Sequence, residues 1–230
     1  LQNQRKSYFS SGLGLRRLGA IGERLMLDGM MRPVIDAPLN WGGRRLAGLG
    51  VSADAVTLIG LGFGLLAAAL LAMGLGGVWV VLPLLASRLS DGLDGAVARA
   101  RGKTDFGGYL DIVCDFAFYG AIPLAFVLRD PMANGAAGAF LLATFYVNGA
   151  TFLGYAALAA RHGLETTGRG EKSLYFTAGL MEGTETILCF LVVALWPASF
   201  VAVAWVFGAL CLVTALSRVI LAARVFGVGR

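Results

Sequence analysis

Charge is scarce in this chain. Only 14% of its 230 residues are Asp, Glu, Lys or Arg, where soluble domains carry about a quarter. Hydrophobic residues make up 57%, and the mean hydropathy is +0.75. So little polar surface cannot cover a water-facing exterior, which excludes an ordinary soluble domain and makes lipid the expected solvent. Cysteine is scarce too. Cys114, Cys189 and Cys211 are far apart, lie in apolar stretches and form no Cys-x-x-Cys, which excludes a disulfide framework or a zinc site and leaves them as packing residues. The one histidine, His162, sits at a helix end and reads as a solvated cap rather than a catalyst. There is no internal repeat and no low-complexity segment. Leu13 to Leu18 is too short and too basic to be the apolar core of a signal peptide.

What charge there is has a pattern. The net charge of +5 could suggest nucleic acid, but the basic residues sit at the ends of apolar segments, the pattern of loops facing anionic lipid. Residues 1–25 read as a dispensable extension and 26–52 as a basic juxtamembrane segment. Residues 53–230 read as a membrane domain of six spans, each near the 20 or so apolar residues that a crossing needs. The spans are expected near 53–75, 78–99, 106–128, 136–160, 174–195 and 200–223. The fold class is therefore all-α integral membrane, with an N-terminal cytoplasmic or interfacial segment. The breaks alternate in charge. Arg99, Arg101 and Lys103 mark one basic loop, Arg161, Arg169 and Lys172 another, and Arg224 and Arg230 the C-terminus; the intervening breaks are neutral. The positive-inside rule puts both termini and the basic loops in the cytoplasm. Met30–Leu46 reads either as a short interfacial helix or, given Pro33, Pro38, Gly42 and Gly43, as an irregular arm. Gly60, Gly62 and Gly64 follow no strand, so they are not a nucleotide fingerprint; they suit close helix packing.

Ionisable residues inside a span cost about 2.5–3.5 kcal/mol each on insertion scales and ask for a reason. The second span holds Arg88, Asp91 and Asp94; the third holds Asp111 and Asp115. Spacings of three and four put each pair of carboxylates on one helix face. The short basic loop between the spans makes them an antiparallel hairpin, on which all four carboxylates can converge. Four converging carboxylates need cations. Hard oxygen donors favour Mg²⁺, Mn²⁺ or Ca²⁺ over zinc, and two ions about 3.5–4 Å apart would clamp a phosphate undergoing displacement. The bland alternative pairs these acids with Arg88, Arg99 and Lys103. Gly92, Gly95, Ala96, Ala98, Gly107 and Gly108 leave room for a phosphate chain beside them.

These residues match a known pattern. Asp91-Gly92-Leu93-Asp94-Gly95-Ala96-Val97-Ala98-Arg99, a seven-residue spacer, and Gly107-Gly108-Tyr109-Leu110-Asp111-Ile112-Val113-Cys114-Asp115 carry every fixed residue of D-x2-D-G-x2-A-R followed by G-x3-D-x3-D. The run closely resembles the signature of the CDP-alcohol phosphotransferases, whose six-helix plan agrees with the spans above. The likeness covers most of residues 26–230. A Lys172–Phe176 stretch and the run Glu182–Thr186 look closest to a bacterial inner-membrane subgroup.

The resemblance implies roles. Asp91, Asp94, Asp111 and Asp115 would hold two Mg²⁺ or Mn²⁺ ions, with Asp115 also the general base. Gly95, Ala98, Arg99, Thr104 and Gly107 would meet the CDP part of the donor. The family's Asn-x-x-Thr at the start of the first span is Asp54-Ala55-Val56-Thr57 here; Thr57 fits, whereas Asp54 departs from the Asn and is explained as well by helix capping. Glu182 and Glu185 either contact the acceptor or pair with Arg218, Thr184, Thr186 and Asn148. Arg88 is a counter-charge to Asp91 or an acceptor contact. The implied reaction is transfer of a phosphatidyl group from CDP-diacylglycerol to an alcohol, releasing CMP, in phospholipid biosynthesis. It would run at the cytoplasmic face of a bacterial inner membrane, in a homodimer partnered by membrane lipid and by no nucleic acid. A soluble CDP-alcohol with a lipid acceptor is the alternative in the same chemistry. A divalent cation transporter and a non-catalytic packing subunit are the alternatives in other classes.

Overall fold

The computed structural model describes residues 27–163 and 183–227. Among them the chain is helical throughout: α1 Leu27–Gly48, α2 Ala53–Ala72, α3 Val78–Arg101, α4 Asp105–Arg129, α5 Pro131–Arg161, α6 Gly183–Leu195 and α7 Phe200–Phe226, with a single 3-10 turn at Pro197–Ser199. In hydrocarbon a helix satisfies its own backbone, so this is the form such a composition must take. Four of these stretches are long and apolar enough to cross a membrane: α2, α4, α5 and the Pro197–Phe226 unit that contains α7. Helix α3 has the length, at 24 residues, but carries the charged cluster. The described part of α6 has 13 residues and starts where description resumes; the predicted span start at 174 and the Lys172–Phe176 stretch lie outside the described residues.

Local chemistry sets the boundaries. Ser52 caps α2, its Oγ accepting the Ala55 N–H at 3.2 Å, and Thr104 caps α4 through the Gly107 N–H at 3.0 Å. Helix α5 begins five residues before its expected start, because Asp130 caps it by accepting the Ala133 N–H at 3.0 Å and Pro131 suits the first turn. The α3–α4 hairpin closes through Gly102, whose φ of +105° few other residues adopt. The open alternative at the N-terminal segment resolves as helix. Residues Leu27–Gly48 are continuous despite two prolines, held against α3 where Leu39 covers Gly92 and Gly43 meets Ala96.

The core lies between α2, α3, α4, α5, α6 and α7, with Val80 and Leu84 as the α3 contribution. Phe126 stacks on Phe200 at 4.1 Å, and Phe118 meets Phe190 edge-on at 5.6 Å. Apolar residues such as Leu58, Leu66, Val206 and Leu216 are exposed on the outer surface, as contact with lipid requires. Small residues let helices approach. Gly60 of α2 lies against Ser90, and Gly64 against Phe118 and Ser87, while Gly62 faces open space; two of the three α2 glycines therefore pack as expected and Gly62 does not.

Candidate active site

The α3–α4 hairpin, closed over one face by α2, makes the site. Asp91, Asp111 and Asp115 each turn an oxygen into one niche, and those atoms all lie within 4.8 Å of one another. Thr57, Gly60 and Leu61 of α2, with Ser87, Arg88, Asp94 and Cys114, complete its wall. Asp94 is buried and directed differently from the trio: its Oδ2 accepts the Thr57 hydroxyl at 2.6 Å. Arg88 donates to Asp115 Oδ1 at 3.1 Å and approaches Asp91 Oδ1 at 3.7 Å. Its guanidinium carbon lies 4.1 Å from the Phe118 ring centroid, so the charge is held by an aromatic face as well as by carboxylates.

Three hard oxygen donors at this spacing, half-buried, with one cation in reach among the described residues, suit a divalent ion better than they suit one another. Next to the niche a cavity of about 430 Å³ opens at the end of the hairpin. It is lined by Ser52, Asp54 and Thr57 of the α2 start, by Gly95, Ala98, Arg99 and Arg101 of α3, by Lys103 and Thr104 of the turn, and by Gly107 and Gly108 in the first turn of α4. Asp94 and Asp111 border both spaces. A Cβ at Gly107 would stand 2.9 Å from Thr104 Oγ1 and 3.1 Å from Asp54 Oδ1, so glycine keeps that wall open. The arrangement can hold an anionic group between basic side chains at one end and cation-binding oxygens at the other.

No protein-family model matches the chain. Inner membrane protein YnjF of Escherichia coli (strain K12) is 47% identical over 197 residues, covering 84% of this chain and 94% of that protein. The crystal structure of Mycobacterium tuberculosis phosphatidylinositol phosphate synthase PgsA1 with CDP-DAG bound superposes with a TM-score of 0.65 at 26% identity, over 84% of this chain and 97% of that one. The chain belongs to the CDP-alcohol phosphotransferase family. The same PgsA1 in complex with manganese and citrate gives a TM-score of 0.65 at 25% identity, covering 82% of this chain and 90% of that one. Archaetidylinositol phosphate synthase of Pyrococcus horikoshii is 37% identical over 86 residues, 37% of this chain and 45% of that protein. This is a membrane-bound member of a phospholipid-synthesis transferase family, with an Asp cluster able to bind metal.

Within this family member, the residues singled out from the sequence fall into three groups. Asp91, Asp94, Asp111, Asp115 and Arg88 border the niche; Asp54, Thr57, Gly95, Ala98, Arg99, Thr104 and Gly107 border the cavity. Glu185 lies half-buried in the first turn of α6 and lines neither space. Glu182 lies outside the described residues. The capping alternative for Asp54 is corrected: Ser52 is the α2 cap, and Asp54 sits within the first turn with its side chain on the cavity wall. Arg218 is buried and donates to Asn148 Oδ1 at 2.7 Å. Ser87 borders the niche without a signal in the sequence, and the expectation that Cys114 serves packing alone is incomplete. Cys114 is buried but borders the niche; its place three residues after Asp111 was the available signal.

Proposed function

We propose that this protein transfers a phosphatidyl group from CDP-diacylglycerol to an alcohol, forming a phospholipid and CMP. The observation that carries this reading is the meeting of Asp91, Asp111 and Asp115 within 4.8 Å, beside a cavity walled by the other signature residues. Relatives support it: one is a phosphatidylinositol phosphate synthase with CDP-DAG bound, the same enzyme crystallised with manganese, and another is an archaetidylinositol phosphate synthase. We read α2 to α7 as six crossings of a bacterial inner membrane. Residues 26–52 then form a surface arm, the termini and site face the cytoplasm, and two copies associate.

Asp91, Asp94, Asp111 and Asp115 would hold two Mg²⁺ or Mn²⁺ ions. Such ions, when bound, supply positive charge to the diphosphate and to the departing CMP. The chain's own groups do the rest. Gly95, Ala98 and Gly107 let the diphosphate approach the backbone. Arg99 donates hydrogen bonds to it, while Asp54, Thr57 and Thr104 border the nucleoside end. Asp115 accepts the proton of the acceptor hydroxyl. That oxygen bonds to the phosphorus carrying diacylglycerol, the bond from this phosphorus to the CMP oxygen breaks, and the electron pair leaves with CMP. Glu185, Glu182 and Arg88 are the acceptor-side candidates.

The test is CMP release by purified protein given CDP-diacylglycerol, Mn²⁺ or Mg²⁺ and a panel of alcohols, with the lipid product identified by mass. Chelation should abolish release, and Asp115→Asn should lower it by at least about a hundredfold, the scale of a lost general base. Full activity in Asp115→Asn, or no release with any acceptor, would refute the proposal.

A further inference from the structure

Asn40 of α1 reaches a residue of the donor cavity from outside it. Its Oδ1 accepts from Arg99 Nη2 at 2.9 Å and from Arg99 Nε at 3.3 Å, across 59 residues of sequence. One oxygen thus engages one edge of the guanidinium. The other terminal nitrogen, Nη1, lies over Gly95, 3.4 Å from where a Cβ would stand. Arg99 and Gly95 both line the cavity; Asn40 does not.

Asn40 is fixed where it is by helix packing. Residue by residue, Leu39 covers Gly92, Gly42 lies against Leu93, and Gly43 sits so close to Ala96 that a methyl group there would overlap its backbone. The contact set locks α1 along the α3 face that leads to Arg99. The acceptor's chemistry also matters. A carboxylate at this position would neutralise Arg99, whereas an amide oxygen orients the guanidinium and leaves its charge for an anion. A long exposed arginine otherwise loses much rotamer freedom when it binds.

We infer that Asn40 is a positioning residue for the donor. Through it the surface helix α1 holds Arg99 with one face turned to the cavity and its charge uncompensated. The inference rests on the proposed CDP-linked donor, and its test separates the two. The readout is the apparent Kd for CDP-diacylglycerol, taken from the rise in melting midpoint with donor concentration in detergent, which needs no acceptor. Asn40→Ala should weaken donor binding about fivefold, the scale of one orienting hydrogen bond to a charged group. Asn40→Asp keeps the acceptor oxygen and α1 docking, so its donor-free midpoint should match or exceed the parent's; it should nevertheless weaken donor binding more than Asn40→Ala does. In an Arg99→Ala background, Asn40→Ala should have no further effect. Parent-like donor affinity in Asn40→Asp, or an undiminished Asn40→Ala effect without Arg99, overturns the inference. A parent protein that neither binds the donor nor releases CMP overturns the proposed function itself.

Discussion

Arg88 is the one basic side chain among the described residues that reaches the carboxylate trio, and its two supports predict its behaviour. It pairs with Asp115 at 3.1 Å and rests on the Phe118 ring. Replacing it with Met keeps the stem's packing but removes the charge beside the trio. In chelator, Arg88→Met should lose about 2 kcal/mol, because unpaired carboxylates remain where water is sparse. Added Mn²⁺ should then raise its melting midpoint more than it raises the parent's, since ion binding relieves a larger repulsion. Differential scanning fluorimetry with and without Mn²⁺ checks both halves. Equal Mn²⁺ shifts would mean that Arg88 and the ion do not share these carboxylates. At this scale the i, i+4 spacing, a local property, put Asp111 and Asp115 on one helix face, and the structure adds Asp91 to them while Asp94, its i, i+3 neighbour, bonds Thr57 instead. The sequence did not show the Thr57–Asp94 bond or the Asn40–Arg99 bond. Those join residues 37 and 59 apart, and only the register of α2 and α1 against α3 brings them into reach.

Between elements, the packing of α2 rests on two glycines and a contrast with the third. A Cβ at Gly64 would stand 2.5 Å from the Phe118 ring, which is fully buried and has nowhere to go. Gly64→Val should therefore cost about 1–3 kcal/mol by overpacking and part α2 from the α3–α4 hairpin. Gly62→Val, on the open face of the same helix, should stay within about 0.5 kcal/mol of the parent. Melting midpoints of the two variants in one detergent test this pair; similar losses for both would mean that the Phe118 contact is not what requires glycine at position 64. The glycine cluster was legible as a packing device, but which members face a neighbour depends on helix rotation, which apolar residues on every side of α2 do not reveal. Helix α1 was harder to read. Pro33 and Pro38 argue against a helix locally, and the docking of Leu39, Gly42 and Gly43 on α3 outweighs them.

Across the whole molecule, the two ends differ in charge, and by the positive-inside rule that difference predicts an orientation. One end gathers Arg99, Arg101, Lys103, Arg161 and Arg224; the ring contact of His162 with Phe226 at 5.3 Å puts the ends of α5 and α7 together there. At the other end the Gly77 N–H donates to Ala194 O at 2.8 Å, and Arg129 is tied to Leu75 O at 2.9 Å. With its guanidinium engaged by a backbone carbonyl, Arg129 is a weak topogenic signal beside five basic residues opposite, so the basic end should remain inside. Residues for a test lie at both poles. Met132 is 96% exposed at the Arg129 end, and Lys103 is exposed in the α3–α4 turn. The three native cysteines are buried and should give little background. In spheroplasts a membrane-impermeant maleimide should label Met132→Cys at once and Lys103→Cys only after permeabilisation. The reverse pattern would put the carboxylate niche, and any soluble acceptor that enters it, on the outer side. Comparable labelling of both sites would mean dual insertion, which requires the charge bias between the ends to be too small to select one orientation.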